Sequence, residues 1–216
     1  QKKLTKLASK KVSFNVTVPE GLKSSDVAIE VKNGSETVLA EADGTYQLPA
    51  DEYTYTITHP NCETVTGQFT VDQEDVPITK ELIRKWVISD YFSGMNVTAT
   101  NGENYGFILD QEDKTVLASN NQSKSNSTAQ LILTAGGAGK LSFMYKVGSE
   151  KNYDKFTVAV NGETKVTESG EVDWKDFSTN LAAGDTVELK YTKDSSGNYN
   201  GDTVWLKEFT FTPLYR

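Results

Sequence analysis

Apolar residues recur at every second position along most of the chain. Val12, Phe14, Val16 and Val18 alternate with Ser13, Asn15 and Thr17. Val27, Ile29 and Val31 repeat the pattern, as do Tyr53, Tyr55 and Ile57 with threonines between them. Further along come Leu141, Phe143, Tyr145 and Val147, then Phe156, Val158 and Val160, then Val187, Leu189 and Tyr191. Short runs of this period, rich in β-branched and aromatic types, predict antiparallel strands with one wet face. Turn signals separate them: Asn33-Gly34, Asp43-Gly44, Asn161-Gly162, Gly184-Asp185 and Gly201-Asp202. The expected class is all-β, with Glu81 to Ser89 the one segment considered for a short helix.

The strands fall into two blocks. Residues 11–83 predict one β-sandwich, residues 91–216 a second, and residues 84–90 a short semi-rigid junction. The junction carries Trp86, Val87 and Ile88 and lacks the Gly/Ser/Pro composition of a flexible linker, so Trp86 is expected to pack. Residues 1–10, with the lysines of QKKLTKLASKK, read as a solvated or linker tail.

Composition narrows the function. The 22 basic and 30 acidic residues leave a net charge of −8. That balance argues against nucleic acid and against an anionic membrane surface. No apolar run approaches the roughly 20 residues that cross a bilayer, and Gln1 reads as the start of an excised piece of a longer chain. The single cysteine, Cys62, allows no internal disulfide. His59 lies near it in sequence, but no third residue completes a nucleophilic triad.

In the first block Gly44, Tyr46, Leu48, Pro49, Ala50, Tyr53, Tyr55, Ile57, Gly67 and Phe69 carry a resemblance. The stretch resembles the carboxypeptidase regulatory-like and PEGA-type modules of bacterial surface proteins. That implies a prealbumin-like sandwich acting as spacer or scaffold. A pilin-type Lys–Asn crosslink from Lys10 or Lys11 lacks its Asn in DVPITKEL and is not expected.

In the second block the pieces are Leu141-Ser142-Phe143, Tyr145-Lys146-Val147, Ser149-Glu150, Tyr153-Asp154 and Asn161-Gly162, followed by Ser169-Gly170, Trp174, Leu181, Gly184, Tyr191, Lys193-Asp194, Asp202 and Trp205. They resemble the adhesin-type, MAM-like and lectin-like jelly-roll modules of secreted bacterial proteins. The resemblance implies roles from carbohydrate binding to protein adhesion to plain spacing. In the last strand Val204 and Leu206 share a face that Phe209 and Phe211 leave by strict alternation. Either a bulge near Lys207-Glu208 returns them to one core, or Trp205, Phe209 and Phe211 line the opposite face.

Three candidate chemistries follow. The loop KDSSGNYNGD gathers Asp194, Asn198, Asn200 and Asp202, oxygen donors of the kind calcium takes, with Glu150 and Asp154 as further candidates from another loop. The same residues are ordinary hairpin-tip types. Tyr199, Trp205, Tyr153 and Trp174 are candidate platforms for a sugar or a protein surface, with Tyr199 foremost because it sits in a polar loop. Tyr191 and Trp174 also read as core, where aromatic side chains ordinarily serve. Glu171, Asp173 and Asp176 echo the acid strand of lectin-fold glycanases, but their spacing and the final Asp depart from that motif, so no catalysis is expected. The expectation is a monomeric, non-catalytic adhesion or ligand-binding fragment of a secreted or surface-anchored bacterial protein. Its partner would be a glycan or another surface protein, beside further domains of the same parent chain. The alternatives are a structural stalk and an accessory module of a polysaccharide-degrading enzyme.

Overall fold

The computed structural model describes residues 8–214. They form two compact units with the boundary between Trp86 and Val87.

The first unit holds β1 (Lys10–Thr17), β2 (Ala28–Asn33), β3 (Glu36–Val38), β4 (Tyr46–Leu48), β5 (Asp51–Thr58), β6 (Val65–Val71) and β7 (Val76–Glu81). They make a three-stranded sheet, β4-β1-β7, and a four-stranded sheet, β3-β2-β5-β6. Val12, Tyr46 and Leu48 from the first sheet join Val31, Tyr53, Tyr55, Ile57 and Val71 from the second in one buried cluster. These are the alternating positions of each strand, so period two alone sorts core from surface here. Tyr55 lies over Gly67, where any Cβ would strike its ring. β1 and β7 run parallel, with Val12 opposite Val76 and Thr17 opposite Glu81, while the other pairings of the unit are antiparallel. They are the first and last strands of the unit, so no hairpin fixes their direction.

Beyond β7 the chain stays with this unit through Lys85. Cys62 bridges to Arg84, Glu63 N–H donates to the Ile83 carbonyl at 2.8 Å, and Lys85 N–H donates to the Asn61 carbonyl at 2.9 Å. This backbone pairing replaces the helix considered for Glu81–Ser89. The only helical turn near it is α1, Ile88–Tyr91. Cys62 is buried, and both nitrogens of His59 are taken by backbone: Nδ1 accepts from Asn61 N–H and Nε2 lies 3.3 Å from the Lys23 carbonyl. His59 is a structural residue in this arrangement.

The second unit continues with β8 (Val97–Asn101), β9 (Phe107–Leu109), β10 (Leu117–Ser119), β11 (Thr128–Ala135) and β12 (Gly139–Gly148). It closes with β13 (Lys155–Val160), β14 (Glu163–Glu168), β15 (Glu171–Leu181), β16 (Thr186–Thr192) and β17 (Thr203–Pro213). Two five-stranded antiparallel sheets result, β15-β12-β17-β10-β9 and β14-β13-β16-β11-β8. Their inner faces share a core of Leu141, Phe143, Tyr145, Val204 and Leu206 against Leu131, Leu133, Phe156, Val187 and Leu189, all buried. Tyr145 and Phe156 meet across it with ring centroids 5.2 Å apart.

The last strand carries the bulge. Met144 pairs with Lys207 but Ser142 with Thr210, so one residue too many lies between them on β17. Glu208 takes it up at φ 54°, a left-handed conformation that non-glycine residues adopt at a cost. Val204, Leu206 and Phe209 thereby all face the core, and Phe209 stacks on Phe143 at 4.9 Å. Trp205 and Lys207 are left on the outer face of the sheet.

Candidate functional site

The register of the first five-stranded sheet lines up outward residues across its strands. Ile108 on β9 pairs with Ala118 on β10, Ala118 with Trp205 on β17, and Trp205 with Lys146 on β12. On β15 the register slips between Tyr145 and Val147, so Asp173 and Trp174 together stand opposite Lys146. Trp174 takes the outward position and completes the row. Residues directly opposite on antiparallel strands share a face, which is why one row spans the sheet from edge to edge.

Loops raise two walls along this row. The β9–β10 hairpin contributes Asp110, Gln111, Glu112, Asp113 and Val116 on the side of Lys207. Asn120, Gln122, Gly201 and Thr203 form the other side. The open groove between them has a volume of about 810 Å³ and holds Trp174, Lys146 and Trp205 along its floor. The Gln122 amide donates to the Gly201 carbonyl at 2.9 Å, tying the second wall together. Gly201 is required there: it has φ 86°, and a Cβ would approach the Trp205 ring to 3.1 Å. Asp110 braces the first wall by accepting from Glu112 N–H at 3.0 Å and Asp113 N–H at 3.1 Å.

Two lysines fix the indoles. Lys207 Nζ sits 4.4 Å above the Trp174 ring and Lys146 Nζ 5.5 Å from that of Trp205. Cation–π contacts of this kind hold a ring's orientation at a partly exposed site. Of the four aromatic candidates read from the sequence, the structure brings Trp174 and Trp205 into one groove. Tyr153 and Tyr199 are exposed at 62% and 56% but do not line it. Trp174 is not a core residue: its neighbours Val172 and Phe177 pair with Val147 and Phe143 on the inner face, while Trp174 faces out. Glu171, Asp173 and Asp176 are all exposed along β15.

The loop singled out for calcium has a different organisation. Lys193 and Asp202 are 3% and 2% exposed, and Asp154 is fully buried. Lys193 Nζ is paired with Asp154 Oδ2 at 3.0 Å and with Asp202 Oδ1, and it also lies 3.4 Å from the Gly197 carbonyl. Its three N–H bonds are thus all directed at oxygen. Asp202 Oδ1 also accepts from Tyr191 OH at 2.8 Å, and Oδ2 accepts from Ser123 N–H at 2.6 Å. With its nitrogen turned inward, the Asn198 amide adds a fourth donor to that carboxylate at 3.0 Å. Asp154 Oδ1 accepts from Asp194 N–H at 2.8 Å. Asp194 accepts from Ser196 N–H, and Asn200 donates to the Ser149 carbonyl.

Of Asp194, Asn198, Asn200 and Asp202, the Asp202 carboxylate is bonded on both oxygens within the protein and Asp194 Oδ1 accepts from Ser196 N–H. Among the described residues no three His, Cys, Asp or Glu side chains gather as a metal would need. Burial alone pulls the Lys193 ammonium down, but hydrogen bonds and charge from Asp202 and Asp154 outweigh it and hold it above the usual lysine range. Burial, followed by the Asp202 hydrogen bond, pushes the Tyr191 hydroxyl up, so it stays a donor. Burial and the neighbouring Asp194 and Asp154 charges raise Glu150.

The sequence held a sign of this triad. Alternation that turns Val187, Leu189 and Tyr191 inward also turns Lys193 inward, and a buried ammonium needs acids. It held little sign of Lys146, Gln122 and Asn120 as groove residues, because only the cross-strand register collects them. Asn121, the first residue of an N-x-S frame, is fully buried, with its amide donating to Tyr191 O and Ser127 Oγ at 3.1 Å each.

No family model and no curated protein matches the chain. Among solved structures it is similar to the secreted serine protease VesC of Vibrio cholerae, with 14% identity and a TM-score of 0.50. That match covers 96% of this chain and 45% of the protease, so the chain spans under half the length of its neighbour. The K1 cleaved adhesin domain of Lys-gingipain from Porphyromonas gingivalis matches at 13% identity and TM-score 0.37, covering 58% of this chain and 96% of that domain. The CBM35 of Cellvibrio japonicus Abf62 matches at 13% identity and TM-score 0.31, covering 54% and 96%. At such identities the likeness is one of fold alone, and the two lower TM-scores carry no further argument. The class the fold defines is an all-β protein of β-sandwich modules. No helix among the described residues is long and apolar enough to cross a membrane.

Proposed function

We propose that the second unit is a non-catalytic glycan-binding module of an extracellular bacterial protein, with the first unit as its spacer. The observation that carries this reading is the groove: two indoles held by lysines on the floor, with amides, hydroxyls and carboxylates on the walls. Sugars present apolar ring faces and a rim of hydroxyls, and this lining offers a partner for each. Concave sites with aromatic floors and a few placed polar groups are the usual form of a ligand site. The acids Glu171, Asp173 and Asp176 lie exposed along β15 and none of them lines the groove, so they place no acid pair beside a bound sugar.

A glycan array probed with the intact chain tests the reading, run in calcium and again in chelator. The expected result is retention of one glycan class in both conditions, lost in Trp174→Ala and Trp205→Ala chains that still unfold cooperatively. Silence in both conditions would sink the reading and favour a stalk without a sugar ligand.

A further inference from the structure

Resting on the glycan reading, we infer that the groove takes the interior of an extended, β-linked polysaccharide chain laid across the strands, and not a terminal sugar. The floor residues Trp174, Lys146, Trp205, Ala118 and Ile108 come one from each strand of the sheet, in the order β15, β12, β17, β10, β9. The outer two strands are the sheet's edges, so the groove runs from edge to edge. A pocket for a chain end would need a wall across this line. The walls instead flank it, one from the β9–β10 hairpin and one from Gln122 with Gly201.

The spacing selects the kind of chain. Trp174 and Trp205 stand two strands apart, about 10 Å at the usual strand separation. That span is comparable with one disaccharide of an extended β-1,4-linked chain, in which every second ring turns the same face to one side. Each indole then meets an equivalent ring face. Coiled α-linked chains do not keep that repeat along a straight line. The full width of five strands, about 19 Å, accommodates roughly four pyranoses. Charge does not select further: Asp110, Glu112 and Asp113 of the hairpin wall are matched by Lys146, by Lys207 over the Trp174 ring and by Lys114, whose Nζ donates to the Asp110 carbonyl at 2.7 Å.

The test is calorimetric titration of the intact chain with cello-, xylo-, manno- and chito-oligosaccharides of one to six residues. For one of these series affinity should rise with length to about four residues and then level off, with the monosaccharide at least 100-fold weaker than the tetrasaccharide. Trp174→Ala should weaken the tetrasaccharide at least tenfold and the disaccharide far less, since a disaccharide fits over Trp205 alone. Trp205→Ala should weaken both, and thermal unfolding of each variant separates lost binding from lost folding. A monosaccharide bound as tightly as the tetrasaccharide overturns the chain inference while the glycan reading stands. So does silence toward all four series from a protein that retains another glycan on the array. Silence toward every glycan overturns both.

Discussion

Two regions of the second unit, the loop cluster around Lys193 and the outer groove at Trp205, use polar chemistry in opposite ways. At Lys193 two carboxylates, an ammonium and a phenol are buried and bonded to one another until no donor or acceptor of Asp202 is left over. In the groove the indoles, amides and acids are partly exposed, and their bonds within the protein serve mainly to position them. The acid-rich loop looks like a binding site when read as a string, yet in the fold its Asp202 is buried and bonded on both oxygens. The tryptophan that reads as core is turned outward by a slip in register. A residue is available for function only when the fold leaves it unsatisfied.

The sharpest way to break this contrast is Lys193→Met. It strands the carboxylates of Asp154 and Asp202 in the interior, and removing one partner of a buried ion pair typically costs about 3–5 kcal/mol. Urea unfolding followed by tryptophan fluorescence should show a midpoint lowered accordingly, since two of the chain's three tryptophans, Trp174 and Trp205, lie in this unit. An unchanged midpoint would mean that Lys193, Asp154 and Asp202 are not the buried ion-paired cluster described.

Alkaline titration comes next. Burial and the nearby Glu168 carboxylate push Tyr145 up to about 12, and burial with the charges of Asp113 and Glu208 pushes Tyr91 to about 12. Lys193 is raised as well. Groups whose folded pKa lies above the unfolded value stabilise fully below the unfolded value, about 10 for Tyr and Lys, and lose that contribution as pH rises through the folded value. The second unit should therefore lose stability between pH of about 10 and 12. Tyr145→Phe should make the fall shallower. A flat profile to pH 12 would contradict the environments of both tyrosines.

Smaller effects sharpen the comparison from the other side. Tyr199→Ala and Tyr153→Ala remove exposed rings that lie outside the groove, so glycan affinity should change less than twofold and stability by no more than about 0.5 kcal/mol. A loss comparable to that of Trp174→Ala would move the site to the loop end of the sandwich. The smallest effect concerns calcium. Because Lys193, Tyr191, Ser123 and Asn198 already occupy the Asp202 carboxylate, the melting temperature in excess calcium should match that in chelator. A rise with calcium would show that Asp194, Asn198, Asn200 and Asp202 rearrange into a cage.

Period two and the turn residues were enough to determine an all-β chain. They also identified inward faces such as Val187–Leu189–Tyr191, because alternation across a pleated strand is a local property. The tight Asn161-Gly162 turn was legible for the same reason, with both residues at positive φ between Val160 and Glu163. Other features depend on pairing between strands far apart in the chain. The bulge at Glu208 decided between two faces for Phe209, and the slip on β15 put Trp174 beside Lys146. The parallel pairing of β1 with β7 and the meeting of Asp154 with Asp202 on one ammonium are of the same kind. A single sequence records which side chains a strand offers to each face. Which of them become neighbours, and which remain free to bind, is decided by register and by the competition for buried hydrogen bonds, and both exist only once the sheets have assembled.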